Sequence, residues 1–241
     1  GELRNKMGQP KEQYNYWVDQ INFDNHAGSR LLLNTLINHQ KKISPHSPIS
    51  ITGVGGDFDK VAIEREMPLK EFQQHNQDKN IKINQIFPMN FSAETVNEKF
   101  DIIDKRYPNT NVFWCASDLM ALTIQKNLNG KKNISIGGFD WLPETMTKIE
   151  QGEITASVGG QFLMIAMALI KIKAHELDAK TLPSSIYQYD LVTKDNVARY
   201  RNYFKNKQWQ DVDYSQFITS KDGKSLELTI NNLINQATYS H

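Results

Sequence analysis

The chain has 241 residues, with 28 Lys+Arg, 27 Asp+Glu, a net charge of +1 and one cysteine. That length allows one or two domains with a sizeable core. The charge balance removes the electrostatic case for nucleic acid, and one cysteine excludes an internal disulfide framework and any cysteine-cluster metal site. The longest apolar run, Phe162 to Ile170, is too short to span a bilayer. The start, Gly1-Glu2-Leu3-Arg4, has no apolar signal-peptide core and no initiator Met. It reads as a mature form or a fragment.

A polar, irregular stretch opens the chain. A helix is expected from near Asp24, with Leu32, Leu36 and Ile37 on one face. Ile49, Ile51 and Val54 read as a strand closed by Gly55 and Gly56. A helix follows, with Val61, Arg65, Leu69 and Phe72 at steps of three or four. Ile81, Ile83 and Ile86 alternate as the next strand. Ser92 caps a helix striped by Val96, Phe100, Ile103 and Tyr107, which Pro108 ends. Val112 to Cys115 suits a strand buried on both faces. Ser117 caps a helix carrying Met120, Ile124 and Leu128. Ile134 to Phe139 is a strand, and Pro143 opens a short helix ended by Gly152. Ile154 to Val158 is a strand, Phe162 to Leu177 a long helix and Ile186 to Val192 the last clear strand. A helix is expected near Asp195 to Lys205, and Leu226, Leu228 and Ile230 alternate like a strand.

Strands alternating with helices imply an α/β fold: a parallel sheet with helices on both faces. Such sheets bind ligands outside the carboxyl ends of their strands. The residues expected there are Asp57 and Phe58, then Phe91, then Ser117 and Asp118, then Asp140 and Trp141, then Gln161. Arg65, two turns into its helix, reaches back to the same edge. Carboxylates accept from sugar hydroxyls, Arg donates to them, and aromatic rings stack on the apolar sugar face. Ser117 and Asp118 also suit a helix cap and first turn, Asp140 suits a cap, and each aromatic suits a core. Convergence on one edge favours the binding reading.

Other chemistry finds less support. Gly53-Val54-Gly55-Gly56 lacks the third glycine of a dinucleotide loop and the Gly-Lys-Ser/Thr of a phosphate loop. The six histidines show no metal-ligand spacing, and no nucleophile elbow occurs. Asp118 and Asp140 are the one candidate glycosidase pair, and capping explains both. Neither a metal nor another cofactor is called for.

Three segments, in order, resemble those of the type I periplasmic binding proteins. They are Val112-Phe-Trp-Cys-Ala-Ser-Asp-Leu-Met-Ala-Leu, Ile134-Ser-Ile-Gly-Gly-Phe-Asp-Trp-Leu-Pro and Ile149-Glu-Gln-Gly-Glu-Ile-Thr-Ala-Ser-Val. The ligand domain of lac-repressor-type regulators shares that fold. Asp24-Asn-His-Ala-Gly-Ser-Arg and Tyr187-Gln-Tyr-Asp-Leu-Val-Thr-Lys-Asp are similar to the quorum-signal sugar receptors of the family. The resemblance implies that Arg65 grips hydroxyls, Phe91 stacks on the ring, Asp140 binds hydroxyls and Asn5 matches a polar hinge residue. Ser117 stands where relatives usually carry Asn. The family's last Gln or Arg position falls on Gly160, with Gln161 one residue later.

The resemblance also implies two lobes with ligand in the cleft between them, one lobe complete and the other truncated at its N-terminus by about a hundred residues. Residues 1–159 and 194–241 would form mostly the complete C-terminal lobe, and 160–193 a helix and strand of the other. The function implied is that of a solute-binding protein for a sugar or sugar-like molecule. It would lie in the periplasm and be read by a membrane permease or a sensor kinase, without spanning the membrane or touching nucleic acid. The alternatives are the sensing domain of a lac-repressor-type regulator and, behind it, a sugar-processing enzyme.

Overall fold

The computed structural model describes residues 14–17, 19–177, 186–206, 209, 212–218 and 228–239. The chain divides into two compact units. One is Asn25–Gly159 with Leu191–Arg201; the other holds the described residues within Gly1–Asp24, Gly160–Asp190 and Asn202–His241.

The first unit is a run of βα repeats. Helix α1 (Asn25–Ile43) is followed by β2 (Ile49–Gly55), α2 (Lys60–His75), β3 (Ile81–Pro88), α3 (Ala93–Arg106), β4 (Val112–Cys115), α4 (Asp118–Asn127), β5 (Ser135–Phe139), α5 (Pro143–Gln151) and β6 (Ala156–Gly159). With β8 (Asp190–Thr193), these strands form a six-stranded sheet of order β3-β2-β4-β5-β6-β8. The pairings β3-β2, β2-β4, β4-β5 and β5-β6 are parallel. Parallel neighbours need a crossover, and α2 to α5 supply those crossovers.

Strand β5 shows why both faces are covered. Successive strand residues point to opposite sides. A Cβ on Gly137 would meet Leu32 and Leu36 of α1, whereas one on Gly138 would meet Asp118 of α4. Ser135, two residues from Gly137, bonds Gln40 and His39 of α1. Helices α1 and α4 therefore lie on opposite faces. Between them Ile51, Val54, Trp114, Met120 and Phe139 are fully buried. The expected caps are in place: Ser92 accepts from Thr95, Ser117 accepts from Met120, and Gly152 ends α5 at φ 79°.

In the second unit β1 (Asn22–Phe23) pairs in parallel with β7 (Ile186–Tyr187). A single 3-10 turn, Gln161–Leu163, leads into α6 (Met164–Glu176). Helix α7 (Val197–Asn206) begins in the first unit and ends in the second, and α8 (Ile230–Tyr239) lies in the second.

Three expectations change. The strand read over Ile186–Val192 is two strands in two sheets, broken at Gln188-Tyr189. Tyr189 turns its ring onto Phe23, 5.0 Å away between centroids, so an unbroken β-prone run hides the switch. The helix read from Phe162 starts as a 3-10 turn. The alternation Leu226-Leu228-Ile230 does not make a strand where it is described. Ile230 opens α8 and is buried with Leu233 and Ile234, a helical spacing; Leu226 lies outside the described residues.

Candidate functional site

The site grows from two corners at the carboxyl ends of β3 and β5. Beyond β3, Asn90 and Phe91 have φ of 52° and 54°; beyond β5, Asp140 and Trp141 have φ of 109° and 58°. Non-glycine residues rarely adopt this region, and such strain collects where surrounding structure over-determines it. Here it does. The N–H groups of Met89 and Asn90 donate to the carbonyl of Gly56, and Ser92 N–H closes the turn on Met89. The Phe91 ring lies where a side chain on Gly56 would stand, so Gly56 has to be glycine.

The β5 corner is held by three groups. Asp140 N–H donates to the Val158 carbonyl at 2.9 Å. Trp141 Nε1–H donates to the Ser157 carbonyl at 3.1 Å, and its indole lies flat on Gly159, where a Cβ would collide. Leu142 N–H donates to Asp118 Oδ2 at 2.9 Å.

Arg65 is buried and fully oriented. Its Nη1–H donates to the Ala116 carbonyl at 2.6 Å, its Nε–H to Asn25 Oδ1 at 3.3 Å, and Nη2 stands 3.6 Å from Asp140 Oδ1. The guanidinium carbon lies 4.2 Å from the centre of the Phe139 ring. A planar guanidinium held by these partners and a ring is fixed in orientation. The Arg65 carbonyl accepts from Ser29 Oγ–H, which ties α2 to α1. The Asp140 side chain is one-third exposed, so it faces solvent while leaning on buried Arg65.

The other expected residues divide. Ser117 is buried as the cap of α4, its oxygen 3.4 Å from Met120 N. Trp141 is only 7% exposed and packs edge-on against Tyr200. Asp118 is 0% exposed and lies beneath the edge, taking Ser157 Oγ–H on Oδ1 at 2.8 Å and Leu142 N–H on Oδ2. Burial pushes its carboxyl up from 3.8 to about 8, against the pull of those two hydrogen bonds. Asp57 turns the loop by accepting from Asp59 N–H, and Phe58 stands 84% exposed. Gln161 belongs to the second unit. Asn5 lies outside the described residues.

The structure therefore gathers Arg65, Asp140, Trp141, Ser117 and Asp118 around one corner and puts Phe91 on the same edge. Sequence reasoning missed Asn25, Phe139 and Ser157. Strand parity was the available signal for Phe139, since it shares the α1 face with Ser135 and Gly137. Among the described residues no cluster of metal-ligating side chains occurs.

The fold is that of the type I periplasmic binding proteins. A periplasmic sugar-binding protein from Pseudomonas fluorescens superposes with a TM-score of 0.67 at 22% identity, over 86% of this chain and 64% of its own length. An ABC-transporter periplasmic solute-binding protein from Actinobacillus succinogenes 130z, solved with D-allose bound, gives 0.63 at 19% identity over 75% and 63%. A twin-arginine translocation pathway signal protein from Burkholderia phytofirmans gives 0.72 at 19% identity over 92% and 70%. The chain thus spans just under two thirds of the first two proteins. No known family profile and no curated protein sequence matches it.

Proposed function

We propose that this chain is part of a solute-binding protein for a neutral, polyhydroxylated small molecule of the sugar class. One observation carries the reading: a buried, fully oriented Arg65 meets a partly exposed Asp140 on a strained corner at the carboxyl edge of a parallel sheet. A vicinal diol matches that pair. One hydroxyl accepts from the guanidinium and its neighbour donates to the carboxylate. Phe91, on the same edge, offers a ring for the apolar sugar face. Ser117 leaves more room than a longer amide side chain.

Binding rather than turnover suits these groups. A glycosidase needs two carboxyls facing the scissile bond. Asp118 is sealed with both oxygens occupied, so it cannot face a scissile bond beside Asp140. The reading carries a periplasmic location, with a membrane permease or a sensor kinase as partner. Two of the fold neighbours named above are periplasmic proteins, and no helix among the described residues is long and apolar enough to cross a membrane.

Titration calorimetry against a panel of pentoses, hexoses and polyols, including D-allose and L-arabinose, tests this. At least one panel member should bind, and Arg65→Ala should weaken it by ~30-fold or more, the worth of about 2 kcal/mol. Absence of binding across the panel refutes the ligand class. Unchanged affinity in Arg65→Ala refutes the site.

A further inference from the structure

We propose that Asp118 is a positioning residue: its buried carboxyl clamps Leu142 N–H and the Ser157 hydroxyl, holds the Asp140–Trp141 corner in its left-handed conformation, and so sets where the Asp140 carboxylate stands. The last clause rests on the sugar-binding reading above; the clamp itself does not.

The geometry has four parts. First, the corner needs a restraint. Asp140 at φ 109° and Trp141 at φ 58° are conformations that a free loop leaves. Second, the restraint comes from both ends of one short loop. Asp140 N–H is fixed to Val158, and two residues later Leu142 N–H is fixed to Asp118. Third, one residue of β6 serves both anchors. The Ser157 hydroxyl donates to Asp118 Oδ1, while the Ser157 carbonyl accepts from Trp141 Nε1–H. Fourth, β5 makes room for the carboxyl. A Cβ on Gly138 would sit 2.7 Å from Asp118 Oδ1, so the acid lies flat against a strand that only glycine leaves open.

This gives Asp118 a role distinct from capping. Ser117 already caps α4, and a first-turn acid needs only to point at the helix end. Asp118 instead reaches across to a loop 24 residues away. Burying a carboxyl costs free energy unless its hydrogen bonds are made, and here the bonds made are those that restrain the corner. The titratable groups beside it are Asp140 on the corner and the buried Cys115 thiol of β4. Arg65, the nearby cation, lies on Asp140. Around the carboxyl β5 presents Gly138, β6 presents Ser157 and α5 the buried Thr145 hydroxyl.

The test uses the full chain and three variants, read by NMR in the absence of ligand. Asp118→Ala removes the acceptor. Asp118→Asn restores it: the amide oxygen accepts from Leu142 N–H and the amide N–H donates to the Ser157 hydroxyl. Ser157→Ala removes one anchor only. In Asp118→Ala the Leu142 amide should exchange at least tenfold faster, and the Leu142 amide and Trp141 indole signals should shift together. Asp118→Asn should return both to near the wild-type positions. In wild type the two signals should titrate with one shared midpoint that Asp118→Asn abolishes. Should Asp118→Ala fail to fold, the Ser157→Ala spectrum decides. Leu142 and Trp141 signals that keep their wild-type positions in Asp118→Ala, or in Ser157→Ala where only that variant folds, overturn the inference.

Binding separates this inference from the function it rests on. A sugar that binds wild type should bind Asp118→Ala at least tenfold more weakly and Asp118→Asn within threefold. A disturbed corner in a protein that binds no sugar leaves the clamp standing and the sugar reading fallen. Unchanged affinity in Asp118→Ala, with wild type binding, removes the positioning role alone.

Discussion

At the scale of single residues, the candidate site depends on groups buried together. Arg65 serves Ala116, Asn25 and Asp140 from one planar head. Lys keeps the charge and loses the fork, so Arg65→Lys strands at least one buried acceptor. We expect it to cost about 2–4 kcal/mol in urea denaturation, more than an exposed Arg-to-Lys change; a loss below about 0.5 kcal/mol contradicts the buried network. Asp118 gives a signed pH dependence. Its carboxyl titrates near 8 when folded, against 3.8 as the ordinary value. Between those values the folded chain holds a proton that the unfolded chain has released, so stability falls as pH rises. The slope approaches about 1.4 kcal/mol per pH unit where the two states differ by a whole proton. Burial lowers His39 from 6.5, which acts in the opposite direction below that pH. Comparison with Asp118→Asn cancels that contribution. Wild-type stability should decline relative to Asp118→Asn between pH 5.5 and 8, and parallel curves would contradict the burial of the acid.

At the scale of elements, most of the first unit is legible in the sequence because each βα repeat carries its own punctuation. Ser92 and Ser117 cap, Gly152 ends a helix, and Val112–Cys115 reads as a doubly covered strand. The split of the last strand is not legible. Gln188-Tyr189 breaks no propensity rule, and only pairing with β1, more than 160 residues earlier, shows that the chain changes sheets. The same limit applies to the site. The rule that ligands sit at strand ends points to Arg65, Phe91 and Asp140, the residues of the proposed site, whereas the burial of Asp118 and the grip of Asn25 on Arg65 are matters of tertiary distance. The β3 turn offers a check on an element that is legible. A methyl on Gly56 displaces the Phe91 ring, whose backbone already sits at φ 54°. Gly56→Ala should therefore destabilise by about 1–3 kcal/mol and weaken any bound sugar, measured by thermal denaturation and calorimetry. A neutral outcome would mean that the ring does not rest on that strand end.

At the scale of the whole molecule, polar chemistry and exposed apolar surface fall to different units. The first unit carries the Arg65–Asp140 edge. The second carries α6, whose first two turns are apolar on both their buried and their exposed sides, with Lys171, Lys173, His175 and Glu176 following. Met167, Ile170 and Ala174 are buried, while Ile165 (75% exposed) and Leu169 (61%) stand on another stripe with Ile172. A segment apolar on both its buried and its exposed sides is at home only when enclosed. Around this one lies a groove of about 750 Å³, lined by Phe162, Ile165, Leu169, Leu177, Trp209 and Ile218. Exposed apolar patches of this kind promote association in water. The chain as it stands should therefore self-associate with rising concentration and take up a hydrophobic dye. The pair Ile165→Glu and Leu169→Glu places two charges on the exposed stripe and leaves Met167, Ile170 and Ala174 in contact. Each change costs at most about 0.5 kcal/mol, because the position is not packed. Sedimentation velocity should show the association reduced and dye fluorescence lowered several-fold, while the Trp141 indole and Leu142 amide signals of the first unit keep their positions. Association unchanged by both charges would mean that the α6 stripe is covered in solution, and the cause of the self-association would then lie elsewhere on the surface.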